Sequence, residues 1–137
     1  MNDANDFWKD AEVIHGYSRA QAIEDGVLVD LMQGETGELV KEAGFKFPIA
    51  MTATAFGQWI EPSENDQREG QSIAGRLWDM LFLLRHAIKG AKAGSDQLAF
   101  SFIVRKDGRQ HTARLKSICG PGDQGEPVLT IMLPDED

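Results

Sequence analysis

Ala99-Phe-Ser-Phe-Ile-Val-Arg-Lys-Asp-Gly-Arg-Gln-His-Thr-Ala-Arg-Leu-Lys116 is the stretch that decides the fold. Asp107-Gly108 at its centre is a favoured two-residue hairpin turn, because both positions accept positive φ. That turn sets the register: Lys106 faces Arg109, Val104 faces His111, Phe102 faces Ala113 and Phe100 faces Leu115. It also pairs Arg105 with Gln110, Ile103 with Thr112, Ser101 with Arg114 and Ala99 with Lys116. One face is thus largely apolar and the other polar and basic. A slip of one residue would scramble both faces, so the two patterns support one register. After a tight loop, Val128 to Leu133 supplies a third strand.

Upstream, the strongest element is a helix from about Ser72 to Lys89. Ile73, Leu77, Leu81, Leu84 and Ile88 recur at three- and four-residue spacing, and Trp78, Phe82 and Leu83 widen the apolar face. Asp6 suits the N-cap of a short helix reaching about Ile14, and Ser18 that of a turn from Arg19 to Glu24 closed by Gly26. Val27 to Leu31 reads as a strand at the sheet edge. Thr36 to Ala43 reads as a helix ended by Gly44. Pro48 opens a helix to about Trp59, since a first turn does not need the missing amide donor. Glu61 to Gln71, with Pro62, Ser63, Asn65 and Gly70 among charges, reads as a mobile surface loop. The fold class is therefore α+β. A single domain over residues 1–137 has N-terminal helices and one long central helix packed on a small antiparallel sheet, the C-terminal three-stranded meander. Residues 1–6 and 134–137 read as loose ends.

The chain of 137 residues is acidic, with formal charge −8, but its charge is divided. Between Arg85 and Lys116 eight basic residues stand against Asp96 and Asp107, so this segment carries +6 and the remainder −14. Such a split suits a surface that meets an anionic partner, or a pole that docks on an acidic one. The longest apolar run, Met80 to Leu84, is far short of the roughly 20 residues of a membrane span. The N-terminus has no basic region followed by an apolar stretch, which argues against a secretory signal. A lone Cys119 forms no internal disulfide, and the expected location is the cytoplasm.

Most motifs have ordinary readings. Gly120-Pro-Gly-Asp-Gln-Gly125 matches the spacing of a dinucleotide loop, but Glu126, Pro127 and a β-rich run follow where a helix is required, so it reads as a turn. Cys119 reads as a buried structural thiol, because no histidine is placed beside it by spacing. His15, His86 and His111 show no metal-ligand pattern, and no metal or cofactor is expected. Asp79 lies within an apolar run and needs a partner if buried, for which Arg76 is spaced. Arg76 and Asp79 mark the site if the chain is an enzyme. Arg105, Lys106, Arg109, Arg114 and Lys116 form the alternative, a partner-binding basic hairpin face able to meet phosphates or carboxylates. It lacks interleaved aromatics for stacking bases, which makes direct nucleic-acid binding the weaker reading.

Four blocks carry a resemblance: Tyr17 to Asp30, Gly44 to Ala50, Gly75 to Asp79 and Gly120 to Pro134. Together they resemble a family of small uncharacterised bacterial proteins that recur on plasmids, phages and other mobile elements. The resemblance supplies no activity, cofactor or catalytic residue. It implies a setting in which accessory proteins blunt host defences. The expected function is accordingly a non-enzymatic interaction protein that binds a protein or ribonucleoprotein, as an anti-CRISPR or anti-restriction inhibitor does. The alternatives are a small enzyme around Asp79 and a nucleic-acid-binding hairpin. A homodimer is permitted by the free sheet edge and the opposite charge poles.

Overall fold

In the computed structural model, which describes residues 17–92 and 94–137, the first half of the chain contains α1 (Arg19–Glu24), β1 (Leu28–Asp30), α2 (Gly34–Glu42), β2 (Ile49–Thr52) and α3 (Ala53–Ala55). A π-helical turn, Phe56–Ile60, continues from α3. It is followed by α4 (Glu64–Arg68), α5 (Ile73–Gly90), β3 (Gln97–Lys106), β4 (Arg109–Pro121) and β5 (Pro127–Met132). The helix expected at Asp6 to Ile14, and His15, lie outside the described residues.

The hairpin forms in the register its turn dictates, from Lys106–Arg109 out to Gln97–Ile118. Asp107 and Gly108 both have positive φ, 54° and 73°. β5 returns antiparallel to β4, completing the meander. The sheet then extends beyond it: β2 pairs parallel to β5, and β1 closes the far edge antiparallel to β2, giving the five-stranded order β1-β2-β5-β4-β3. The sheet is mixed rather than purely antiparallel.

α5 lies along the inner face. Its buried residues Leu77, Met80, Leu81 and Leu84 form one core with Phe100, Phe102, Val104, Ala113, Leu115 and Ile131 from the sheet. Ser72 caps the helix by accepting from the Gly75 amide at 3.0 Å. α2 joins this core through Val40 and Leu39. On the outer face, α1 covers only the part built from β1, β2 and β5. Arg19 donates there to the Thr130 hydroxyl at 2.7 Å and to the Leu129 carbonyl at 2.8 Å. Among the described residues nothing covers the β3–β4 part of that face, and this half-coverage positions the site.

Two expectations are corrected. Pro48 does not open a helix to Trp59: Ile49, Ala50 and Met51 are fully buried in β2, and the helical turn begins at Ala53 with the Thr52 hydroxyl as its cap. A strand covered on both faces shows no alternation, so its apolar run is indistinguishable from a helix start by periodicity. Glu61 to Gln71 is not a plain loop either. It contains α4, closed by a capping box between Ser63 and Asp66, and it buries Asp66.

Candidate functional site

The open part of the outer face carries the side chains that alternate away from the core. Arg105 and Ile103 come from β3, and Thr112, Arg114 and Lys116 from β4. Arg105 and Arg114 are exposed, Lys116 is half-buried, and Ile103 is 53% exposed, an apolar side chain amid the cations. Only Glu69 opposes this face with an ion pair among the described residues, to Arg105 at 3.7 Å. Successive outward residues on β4 are about 7 Å apart, so Arg114 and Lys116 can meet neighbouring anionic groups on one partner. Lys106 and Arg109 have the opposite parity and do not belong to this face. Lys106 is instead tied down, donating to the Gln58 carbonyl at 2.8 Å and lying 5.2 Å from the Trp59 ring centre.

β3 is also a free edge. In a two-residue hairpin the closing pair exchanges hydrogen bonds, so the backbone groups of Ala99, Ser101 and Ile103 point away from β4. They have no backbone partner among the described residues. The next such carbonyl, that of Arg105, is occupied by Arg76 Nη2 at 2.7 Å.

That guanidinium is the centre of a buried knot. Arg76 Nη2 also donates to Asp66 Oδ2 at 3.0 Å, and both side chains are only 2% exposed. Asp66 Oδ1 accepts from the Asp107 amide at 2.9 Å, and its Oδ2 from the Ser63 amide at 3.2 Å. These donors, the Asp107 amide foremost, outweigh burial and hold the Asp66 pKa down at about 2. Arg76 therefore pairs with Asp66, not with Asp79 as the helical spacing suggests. Asp79 is exposed on α5, its pKa raised by partial desolvation. The knot fastens α4 and α5 to the hairpin turn and leaves no paired acid and base at Arg76 and Asp79.

A second basic region surrounds a cavity of about 530 Å³ between the C-terminal end of α5 and the inner face of the sheet. Phe45, Phe47, Ile88, Leu98 and Leu129 give it an apolar lining. Lys46, Arg85, Lys89 and Lys92 stand around it against Asp96, a formal +3. Arg85 is fixed by donating to the Ala43 carbonyl at 2.9 Å, over Gly44, whose φ of +92° and lack of a Cβ make room for the guanidinium. Ser117 is 3% exposed and borders the cavity, as does the free thiol of Cys119.

The glycine-rich segment forms the β4–β5 turn. Its Asp123 accepts the Arg19 and Ala20 amides at 2.8 and 3.0 Å, capping α1 from a distant part of the chain. Those two amides lower the Asp123 pKa, while burial lowers that of Arg19. Tyr17 to Asp30, Gly44 to Ala50 and Gly120 to Pro134 thus meet around β1, β2 and β5, while Gly75 to Asp79 lies on α5. A profile covering residues 4–137 matches this sequence. The chain belongs to DUF6573, a family of unknown function. No curated protein and no solved structure matches it.

For this DUF6573 chain, sequence reasoning placed Arg105, Arg114 and Lys116 on the outward face, but Lys106 and Arg109, read with them, lie on the other face, and it missed the other two features. Asp66 had a signal: Ser63-Glu-Asn-Asp66 is a capping-box spacing at the head of a helix. The cavity had none, because its lining is drawn from residues 44 to 129 and only the sheet brings them together. Among the described residues, no group of three or more His, Cys, Asp or Glu is arranged to hold a metal ion, and no helix is long and apolar enough to cross a membrane.

Proposed function

We propose that this protein is a non-enzymatic interaction module that docks on an acidic surface of a protein or ribonucleoprotein through the open outer face of β3 and β4. The observation that carries this reading is the half-face left uncovered by the described residues, where Arg105 and Arg114 flank exposed Ile103, with Lys116 one outward position further along β4, beside a free strand edge. An exposed apolar side chain flanked by cations fits a specific contact better than a solvated surface does. The acidic remainder of the molecule, at formal −14 outside residues 85–116, suits occupation of sites that read phosphate. Inhibition of a host defence complex of a restriction or CRISPR type, by an accessory protein of a mobile element, is the service we assign to that pairing of surfaces.

The test is retention of partners from a lysate with intact defence systems, before and after nuclease, by the wild type and by an Arg105→Glu/Arg114→Glu variant. A stoichiometric protein held after nuclease by the wild type and lost by the variant is the expected result. Equal retention by both removes the hairpin face from the reading. Loss on nuclease treatment, with affinity that falls steeply with salt, transfers the face to nucleic acid.

A further inference from the structure

We infer that the cavity beside the C-terminal end of α5 binds a small amphiphilic carboxylate, with its apolar body on the lining and its head among the lysines. This does not rest on the docking face above, which lies on the other side of the sheet. The cavity volume, about 530 Å³, is that of a small-molecule site, and its mixture of apolar lining and few polar groups is the usual one.

Three observations select the ligand. Phe47 and Ile88 are 46% and 41% exposed at the cavity, apolar surface that an apolar body would cover. The surrounding charge is positive in a chain whose net charge is −8, so the local field selects an anion against the global one. Ser117, 3% exposed at the cavity wall, is one of the few polar side chains there and is suited to orienting a ligand head group.

Arg85 is committed in part to Ala43, so Lys46, Lys89 and Lys92 are the charges left for the head group. Lys89 and Lys92 are exposed, which makes them suitable to remove. Asp96 is the one acidic residue lining the cavity among the described residues, and it disfavours a dianion more than a monoanion.

The experiment titrates the full chain with decanoate, 2-naphthoate and decan-1-ol by calorimetry, and follows alkylation of Cys119 in parallel. Decanoate or 2-naphthoate should bind at least about tenfold more tightly than decan-1-ol, the worth of one charged contact. The better of the two carboxylates tells an aliphatic from an aromatic body. Saturation should slow Cys119 alkylation, because the thiol borders the same space. Lys89→Ala/Lys92→Ala should lose most of that preference for the carboxylate while keeping the binding of decan-1-ol and the melting temperature. Equal binding of alcohol and carboxylate, carboxylate binding that leaves Cys119 alkylation unchanged, or no binding at all each overturns the assignment.

Discussion

Replacing Arg76 by methionine tests whether the buried knot holds the hairpin turn to the helices. The substitution keeps most of the apolar stem and removes the guanidinium, which donates at 3.0 Å to Asp66 and at 2.7 Å to the Arg105 carbonyl. Asp66 keeps two backbone donors but loses its counter-charge. Removing one partner of a buried pair destabilises by about 3–5 kcal/mol. The two surviving amides place the Arg76→Met variant near the lower end, about 3 kcal/mol. For a domain of this size that is a fall of roughly 12 °C in Tm. The assay is urea unfolding with a parallel thermal melt, for wild type, Arg76→Met, Asp66→Asn and the double variant. Asp66→Asn should destabilise the wild type but stabilise the Arg76→Met background, since an amide there no longer buries an uncompensated charge. That reversal of sign is a coupling that independent residues do not show. A loss under about 1 kcal/mol for Arg76→Met, or simple additivity in the double variant, would refute the reasoning.

The same carboxylate shapes the acid limb. Because the folded pKa of Asp66 is lowered from 3.8 to about 2, its contribution is whole above the unfolded value and is lost as pH falls towards 2. Stability measured from pH 4 down to pH 2 should therefore fall less steeply in Asp66→Asn than in the wild type. Gly44→Ala should cost about 1–2 kcal/mol from its positive φ alone. The added Cβ would also stand 2.8 Å from Arg85 Nη1, so the bond to the Ala43 carbonyl should weaken, and a thermal melt together with the calorimetry above reads both effects. Arg105→Glu/Arg114→Glu should alter stability by no more than about 0.5 kcal/mol per site, as for exposed positions without buried partners. A large drop in its urea midpoint would show that this face is structural.

Where the sequence was legible, a local rule and a global pattern agreed. Asp107-Gly108 and the alternation around it gave every pair of the hairpin, and the spacing from Ile73 to Ile88 gave α5. Ser18 and Gly44 marked helix ends because the caps are backbone chemistry and need no distant partner. β2 was misread because its three fully buried residues erase the period on which a strand is recognised. Its parallel pairing with β5 joins residues about eighty apart in sequence, and nothing local to Pro48 announces that. The Arg76 partner failed for a related reason. Helical spacing placed Asp79 within reach, but the knot pairs Arg76 with a carboxylate in a segment whose polar composition read as a loop.

The order of strands also explains what the charge split becomes in space. β1, with α1 beside it, brings Glu24, Asp25 and Asp30 to one edge of the sheet, while Arg105 and Arg114 lie at or next to the other. Five strands have four spacings of about 4.8 Å, so the two edges are roughly 19 Å apart. The Debye length at physiological ionic strength is about 8 Å. Arg105 on β3 is thus more than two screening lengths from the acidic edge and Arg114 on β4 nearly two, so the poles hardly neutralise one another across the sheet. A partner at the hairpin therefore meets a local positive field although the whole chain is acidic. Each pole acts alone, and charge reversal at Arg105 and Arg114 should abolish contacts made there while leaving untouched any contact made through the acidic edge.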